Sequence, residues 1–148
     1  MSLKTILAAK GDNIICIEPT ADLAAAAKLL STHRIGALVV LDAGGRLVGI
    51  LSERDIVRTM ADGGSAVLQR PVAQVMTRNI SSCDVNDSIS SVMDRMRKGK
   101  FRHMPVLDKE RLAGLVSIGD TLKWQIETIR ERIHQLEQTI TELNLMKL

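Results

Sequence analysis

Aromatic side chains are almost missing from this chain: Phe101 and Trp124 stand alone, and there is no tyrosine. Proteins that grip single-stranded nucleic acid stack bases on aromatic platforms, so their scarcity weighs against that class. No apolar run approaches the roughly 20 residues a membrane-crossing helix needs. The opening stretch MSLKTILAAKGDN carries an apolar patch too short for a secretory segment, followed by a charged turn. A cytoplasmic protein without a membrane partner is expected. Cysteine is scarce as well. Cys16 and Cys83 lie in apolar, strand-like stretches, without CxxC spacing or grouped histidines. Two reduced core thiols are expected rather than a zinc site, which takes about four ligands. GxSxG, HExxH, P-loop and GxGxxG signatures are all absent, so no enzyme class finds support. The charge excess is small, 20 basic against 17 acidic residues, too mild to demand nucleic acid. It is locally concentrated in RMRKGKFR, residues 95–102, where a solvated helix face is the first expectation. Within that run Lys100 and Arg102 are the two that could attract phosphate anions, whereas Arg95, Arg97 and Lys98 read as solvated. His33 and His134 read as surface residues.

What the chain does have is a repeat. NIICIEPTADLAAAAKLL, residues 13–30, lies over NISSCDVNDSISSVMDRM, residues 79–96, at a spacing of 66. Each copy opens with Asn-Ile and a short β-rich run. A cap-like turn follows, Thr20-Ala21-Asp22 in one and Asn86-Asp87-Ser88 in the other. Leu23, Ala26, Ala27 and Leu30 then mark one helical stripe, and Ile89, Val92, Met93 and Met96 mark its counterpart. Strands IGALVVLD (35–42) and FRHMPVLD (101–108) come next, then tight turns at Ala43-Gly44-Gly45-Arg46 and at the shorter Lys109-Glu110-Arg111. Gly49, Ser52 and Asp55 match Gly114, Ser117 and Asp120 at a spacing of 65. The expected architecture is α/β (α+β): two β-α-β-β-α units packed through their sheets with pseudo-twofold symmetry. Units of about 60 residues bury little alone, so one shared core and two equivalent clefts are expected, and such clefts favour ligands.

LVGILSERD, residues 47–55, and LAGLVSIGD, residues 112–120, each close a strand on Ser-x-x-Asp. That spacing has two meanings. It matches a capping box, with serine at the helix N-cap and an acid three residues on. It also places a carboxylate and a hydroxyl beside free backbone N–H groups, where a sugar and a phosphate are welcome.

The duplicated DAGGRLVGILSERD and DKERLAGLVSIGD, with RHMPV before the latter, resemble a tandem pair of cystathionine-β-synthase (CBS) domains, a Bateman module. The resemblance covers roughly residues 8–125, with one domain over 8–65 and the other over 72–125. It implies a regulatory module, not an enzyme, that binds an adenosine-containing ligand such as AMP, ADP, ATP, NAD(H) or S-adenosylmethionine. By that analogy Asp55 and Asp120 hold ribose while Ser52 and Ser117 meet phosphate. The adenine is walled by Asn79, Ile80 and Ser81 with His103, Met104 and Pro105 in the second copy. Asn13, Ile14 and Ile15 with Gly36, Ala37, Leu38 and Val39 are the first-copy counterparts. Thr77 matches the family's frequent Met-Thr, where the first copy has Gly11. With Thr77, Arg102 and His103 assigned to it, the Asp120 site is expected to be the better equipped. Arg54 could reach phosphates in either site.

From Asp120 onward there is neither proline nor glycine, and Leu122, Ile126, Ile129, Ile133, Leu136, Ile140 and Leu143 form an a/d seam. Residues 120–148 are expected to form an amphipathic oligomerisation helix and the chain a homodimer; packing of the seam on the chain's own domain is the alternative. The leading function is ligand sensing, with a regulated enzyme or transporter in trans as reader. A scaffold dimer without nucleotide, or a nucleic-acid binder, is the alternative.

Overall fold

A computed structural model describes residues 2–11 and 13–147; Leu148, at the end of the expected helix, lies outside them. Helix α1 (Leu3–Lys10) precedes the first repeat, β1 (Cys16–Ile17), α2 (Leu23–His33), β2 (Ala37–Leu41), β3 (Leu47–Ser52) and α3 (Glu53–Gly63). Short 3-10 turns at Ser65–Gln69 and Val72–Gln74 lead to the second repeat. It comprises β4 (Cys83–Asp84), α4 (Ile89–Gly99), β5 (His103–Asp108), β6 (Arg111–Ser117) and the long α5 (Ile118–Met146). Helix α1 was not among the expected elements; its eight residues carry only Leu3 and Ile6 as buried anchors.

The helices start where the caps require. The Asp22 carboxylate accepts from Ala25 N–H at the head of α2, and the Ser88 hydroxyl accepts from Ser91 N–H at the head of α4. Both sheets have three strands, the first pair parallel and the second antiparallel. Irregularities in register recur at Val40/Leu41 and Val106/Leu107, 66 residues apart. Leu38 and Val40 of β2 face the helices of their own repeat, yet Ala37 and Val39 are buried too. The central strand is thus covered on both faces, as it must be when one sheet backs onto the other repeat.

The hydrophobic residues do not form the single shared core that was expected. They form two clusters, and each borrows from the segment that precedes the other repeat. Leu3 and Ile6 of α1 join Val92, Met96, Met104, Val106 and Val116 of the second repeat. Val72 and Met76 join Leu23, Leu30, Leu38, Val40 and Leu51 of the first. The crossing is stitched by backbone bonds, Thr77 N–H to Ile50 O at 2.9 Å and Ile50 N–H to Thr77 O at 3.1 Å. Two glycines make room for it. A Cβ on Gly49 would stand 2.4 Å from Met76 Sδ, and one on Gly114 would stand 2.5 Å from Leu7 Cδ2.

The hairpins differ as their turns do. Gly45 takes a positive φ of 77° in the first, and the Asp42 carboxylate accepts from Gly44 and Arg46 N–H, both at 2.9 Å. The shorter second turn puts Lys109 and Glu110 at φ of 50° and 67°. Side chains there cost free energy that Asn-Gly avoids.

Two expectations follow. Lys109→Asn with Glu110→Gly raises stability by about 1–2 kcal/mol in denaturant melts, since each residue then adopts its turn conformation without strain. Gly49→Ala displaces Met76 and costs about 1–3 kcal/mol. In a double-mutant cycle it costs clearly less on a Met76→Ala background, because the obstructing side chain is gone.

Candidate functional site

Ser52 ends β3 and caps α3. Its hydroxyl accepts from Asp55 N–H at 3.2 Å, while Ser52 N–H donates to Asp55 Oδ2 at 2.9 Å. Ser117 and Asp120 repeat the arrangement at the head of α5, at 3.1 and 2.8 Å. Both Ser-x-x-Asp motifs are therefore complete capping boxes. The two acids nevertheless have different surroundings.

Asp55 opens on a cavity of about 420 Å³ between the repeats. Only its Oδ2 is engaged; Oδ1 has no protein donor among the described residues. Ser52, Arg54 and Arg58 line the cavity from the first repeat, with Gly36, Ala37 and Ile50 of its sheet. Thr77, Asn79, Ile80 and Ser81 form a second wall, and Lys100, Phe101, Arg102 and His103 a third. Four cations, Arg54, Arg58, Lys100 and Arg102, thus face two acids, Glu53 and Asp55. The mixture of a few apolar walls with convergent polar groups, at this volume, suits a small ligand.

His103 reaches across to the first repeat: its imidazole lies 3.1 Å from where a Cβ on Gly36 would be, so an alanine there would press the ring back by a few tenths of an ångström. Burial lowers the His103 pKa, and Lys10 and Arg102 add to the effect, while Asp120 and Glu53 oppose it. The ring is therefore held neutral near neutral pH. Arg95, expected to be solvated, instead donates to Ser81 Oγ at 3.1 Å and to Ser82 O, and so fixes one wall of the cavity. Arg97 and Lys98 pair with Asp94 on the exposed face of α4.

Around Asp120 the geometry is different. Lys10, from the last turn of α1, donates to Asp120 Oδ2 and to Leu115 O, both at 2.7 Å. Burial pushes the Asp120 carboxyl up, but the bond from Lys10 and those from Ser117 outweigh it, and the net shift is downward. Of the residues expected around Asp120, His103 lies near it, but all three also line the other acid's cavity. Thr77, Arg102 and His103 line the cavity of Asp55, Thr77 because the segment before the second repeat crosses to the first, while His103 also pairs with Ser117 in the sheet and feels the charge of Asp120. Among the other expected site residues, Leu38 and Met104 are wholly buried and Pro105 is buried. Ile14, Ile15, Ser117 and Asp120 lie outside the cavity lining. Glu53, Ile50, Phe101 and Arg58 are lining residues that sequence reasoning missed. Arg58 had a signal: it stands one helical turn after Arg54, on the same face of α3.

Two small, related β-α-β-β-α units meeting over a polar cleft define a class of two-repeat binding modules. The comparisons give its family. The CBS domain model matches residues 10–62 and again 72–127, and the chain belongs to the CBS-domain family as a tandem pair. A CBS-domain containing protein from Agrobacterium tumefaciens, ATU1752, is 42% identical over 82% of this chain and 91% of its own, with a TM-score of 0.80. The Bacillus subtilis CBS domain-containing protein YhcV is 33% identical over 72% of this chain and 75% of its own length. An uncharacterised 17.7 kDa protein of Acidianus ambivalens is also 33% identical; the chain spans 64% of its length. The CBS domain pair of MJ0100, solved with 5′-methylthioadenosine and S-adenosylmethionine, superposes with a TM-score of 0.77 at 26% identity, over 86% of this chain and 98% of its own. CBS-domain pairs are regulatory modules. Among the described residues no helix is long and apolar enough to cross a membrane, and no cluster of His, Cys, Asp or Glu is placed to hold a metal ion. Cys83 is buried, which pushes its thiol up to about 11.

Lys10→Met tests the tie to Asp120. Asp120 loses its main charge partner, and its carboxyl pKa should rise in an NMR titration. A carboxylate with a depressed folded pKa adds stability above its unfolded value and loses it as pH falls through the folded one. The variant should therefore lose stability at neutral pH and show a flatter decline in acid.

Proposed function

We propose that this CBS pair senses an adenosine-containing ligand that carries phosphate, such as AMP, ADP, ATP or NAD(H), in the cavity at Asp55. The observation that carries the reading is the free Oδ1 of Asp55 on a cavity with four cations. A carboxylate so placed can accept from both ribose hydroxyls, and charge-assisted bonds of this kind are the strong ones. The head of α3 offers a positive dipole end, and Arg54 and Arg58 add fixed charge for phosphate oxygens. Those cations disfavour the sulfonium of S-adenosylmethionine at the same place. Thr77, Asn79, Ile80 and Ser81 supply backbone and hydroxyl groups for the base, with His103 opposite. Asp120, already paired with Lys10, belongs to a weaker second site.

The ligand acts by favouring one arrangement of the two halves, which requires unequal affinity for the two states. The chain works in the cytoplasm as a homodimer joined through α5, and an enzyme or transporter in trans reads the change. The scaffold reading has one observation in its favour: both Ser-Asp pairs already serve as complete capping boxes.

Equilibrium binding of AMP, ATP, NADH and S-adenosylmethionine to the full chain decides between them. Asp55→Asn should weaken nucleotide binding by about tenfold or more, the loss of a charged hydrogen bond, while Asp120→Asn leaves it within about threefold. Equal losses in both variants would overturn the ranking of the sites. Failure of every ligand to bind at millimolar concentration would favour the scaffold.

A further inference from the structure

Helix α5 leaves the body of the protein. Thr121 is buried and Trp124 packs against the second core, but every residue from Ile129 to Lys147 is exposed. The seam goes with it: Leu122, Ile126, Ile129, Ile133, Leu136, Ile140 and Leu143 are each 45–58% exposed. Over 22 residues, about 33 Å of helix, these apolar groups are left about half exposed by the rest of the described chain. Packing in cis, the alternative, is therefore not what the fold provides.

The composition of the seam says what covers it. Ile126, Ile133 and Ile140 occupy the a positions, and Leu122, Leu136 and Leu143 the d positions, with Ile129 the one departure. In a parallel coil, β-branched residues at a with leucine at d favour two strands over three or four. The flanking charges agree. In a parallel pair each g residue meets the e residue five positions on in the other helix. Arg132 at g then faces Glu137 of the second copy, twice by symmetry. The remaining e cations, Lys123 and Arg130, meet Ile118 and Gln125, so no like charges oppose one another.

We infer that α5 pairs with α5 of a second copy as a parallel, in-register, two-stranded coiled coil fastened by Arg132 and Glu137. This rests on the homodimer proposed above and adds its geometry. Both CBS pairs, and both Asp55 cavities, then sit at the same end of the coil.

The test is a charge swap read by sedimentation equilibrium of the full chain. Both residues are exposed and lie far beyond the body, so the fold is not at stake. Glu137→Arg sets four arginines against one another and should raise the dimer dissociation constant on the order of tenfold. Adding Arg132→Glu should restore it to within about threefold. In an antiparallel pair Glu137 faces Arg130 of the second copy instead. Rescue by Arg130→Glu and not by Arg132→Glu would therefore overturn the parallel arrangement. A dimer indifferent to Glu137→Arg would overturn the coil while leaving the homodimer standing. A parent chain that is monomeric at every concentration would overturn both.

Discussion

The fold depends on an exchange. Each repeat is completed by the stretch of chain that comes before the other one, with Met76 laid over Gly49 and Leu7 over Gly114. A β-α-β-β-α unit of this size has too little apolar surface to close its own core. Borrowing a neighbour's lead segment supplies the missing cover and fixes the two halves against one another. Because the borrowed residues enter the two clusters separately, the halves stay distinct bodies with a cleft between them. A single fused core would have filled that space.

The same exchange makes the surroundings of the two acids unequal. Lys10 and Met76 occupy matching places in the repeat, 66 residues apart. Met76 is apolar and turns onto β3, leaving Asp55 one free oxygen. Lys10 instead reaches the carboxylate of Asp120 and the Leu115 carbonyl. One pair of equivalent positions, filled by a thioether in one copy and an ammonium in the other, thus distinguishes an open acid from a neutralised one.

Local rules were easy to read from the sequence and distant ones were not. The duplication, the stripes on α2 and α4, the caps at Asp22 and Ser88, and the seam of α5 all follow from spacing within a few residues. The capping boxes were legible for the same reason. The partner of Thr77 was not, because adjacency in the chain pointed to Asp120 whereas the crossing delivers Thr77 to Ile50. Arg95 looked like one cation in a solvated run; only the fold brings Ser81 and Ser82 within its reach. Helix α1 escaped notice because two buried side chains in eight residues make a weak periodic signal.

Ile118 N–H, the first amide of α5, is bonded at 2.8 Å to the carbonyl of Arg102, whose residue forms one wall of the cavity. The opposite wall belongs to the other half of the molecule. On the proposed reading the gap is a caliper: the girth of a bound ligand would set the angle between its jaws. One jaw is clamped at its root to a rod about 44 Å long, so a small change in that angle would become a much larger sweep at the far tip.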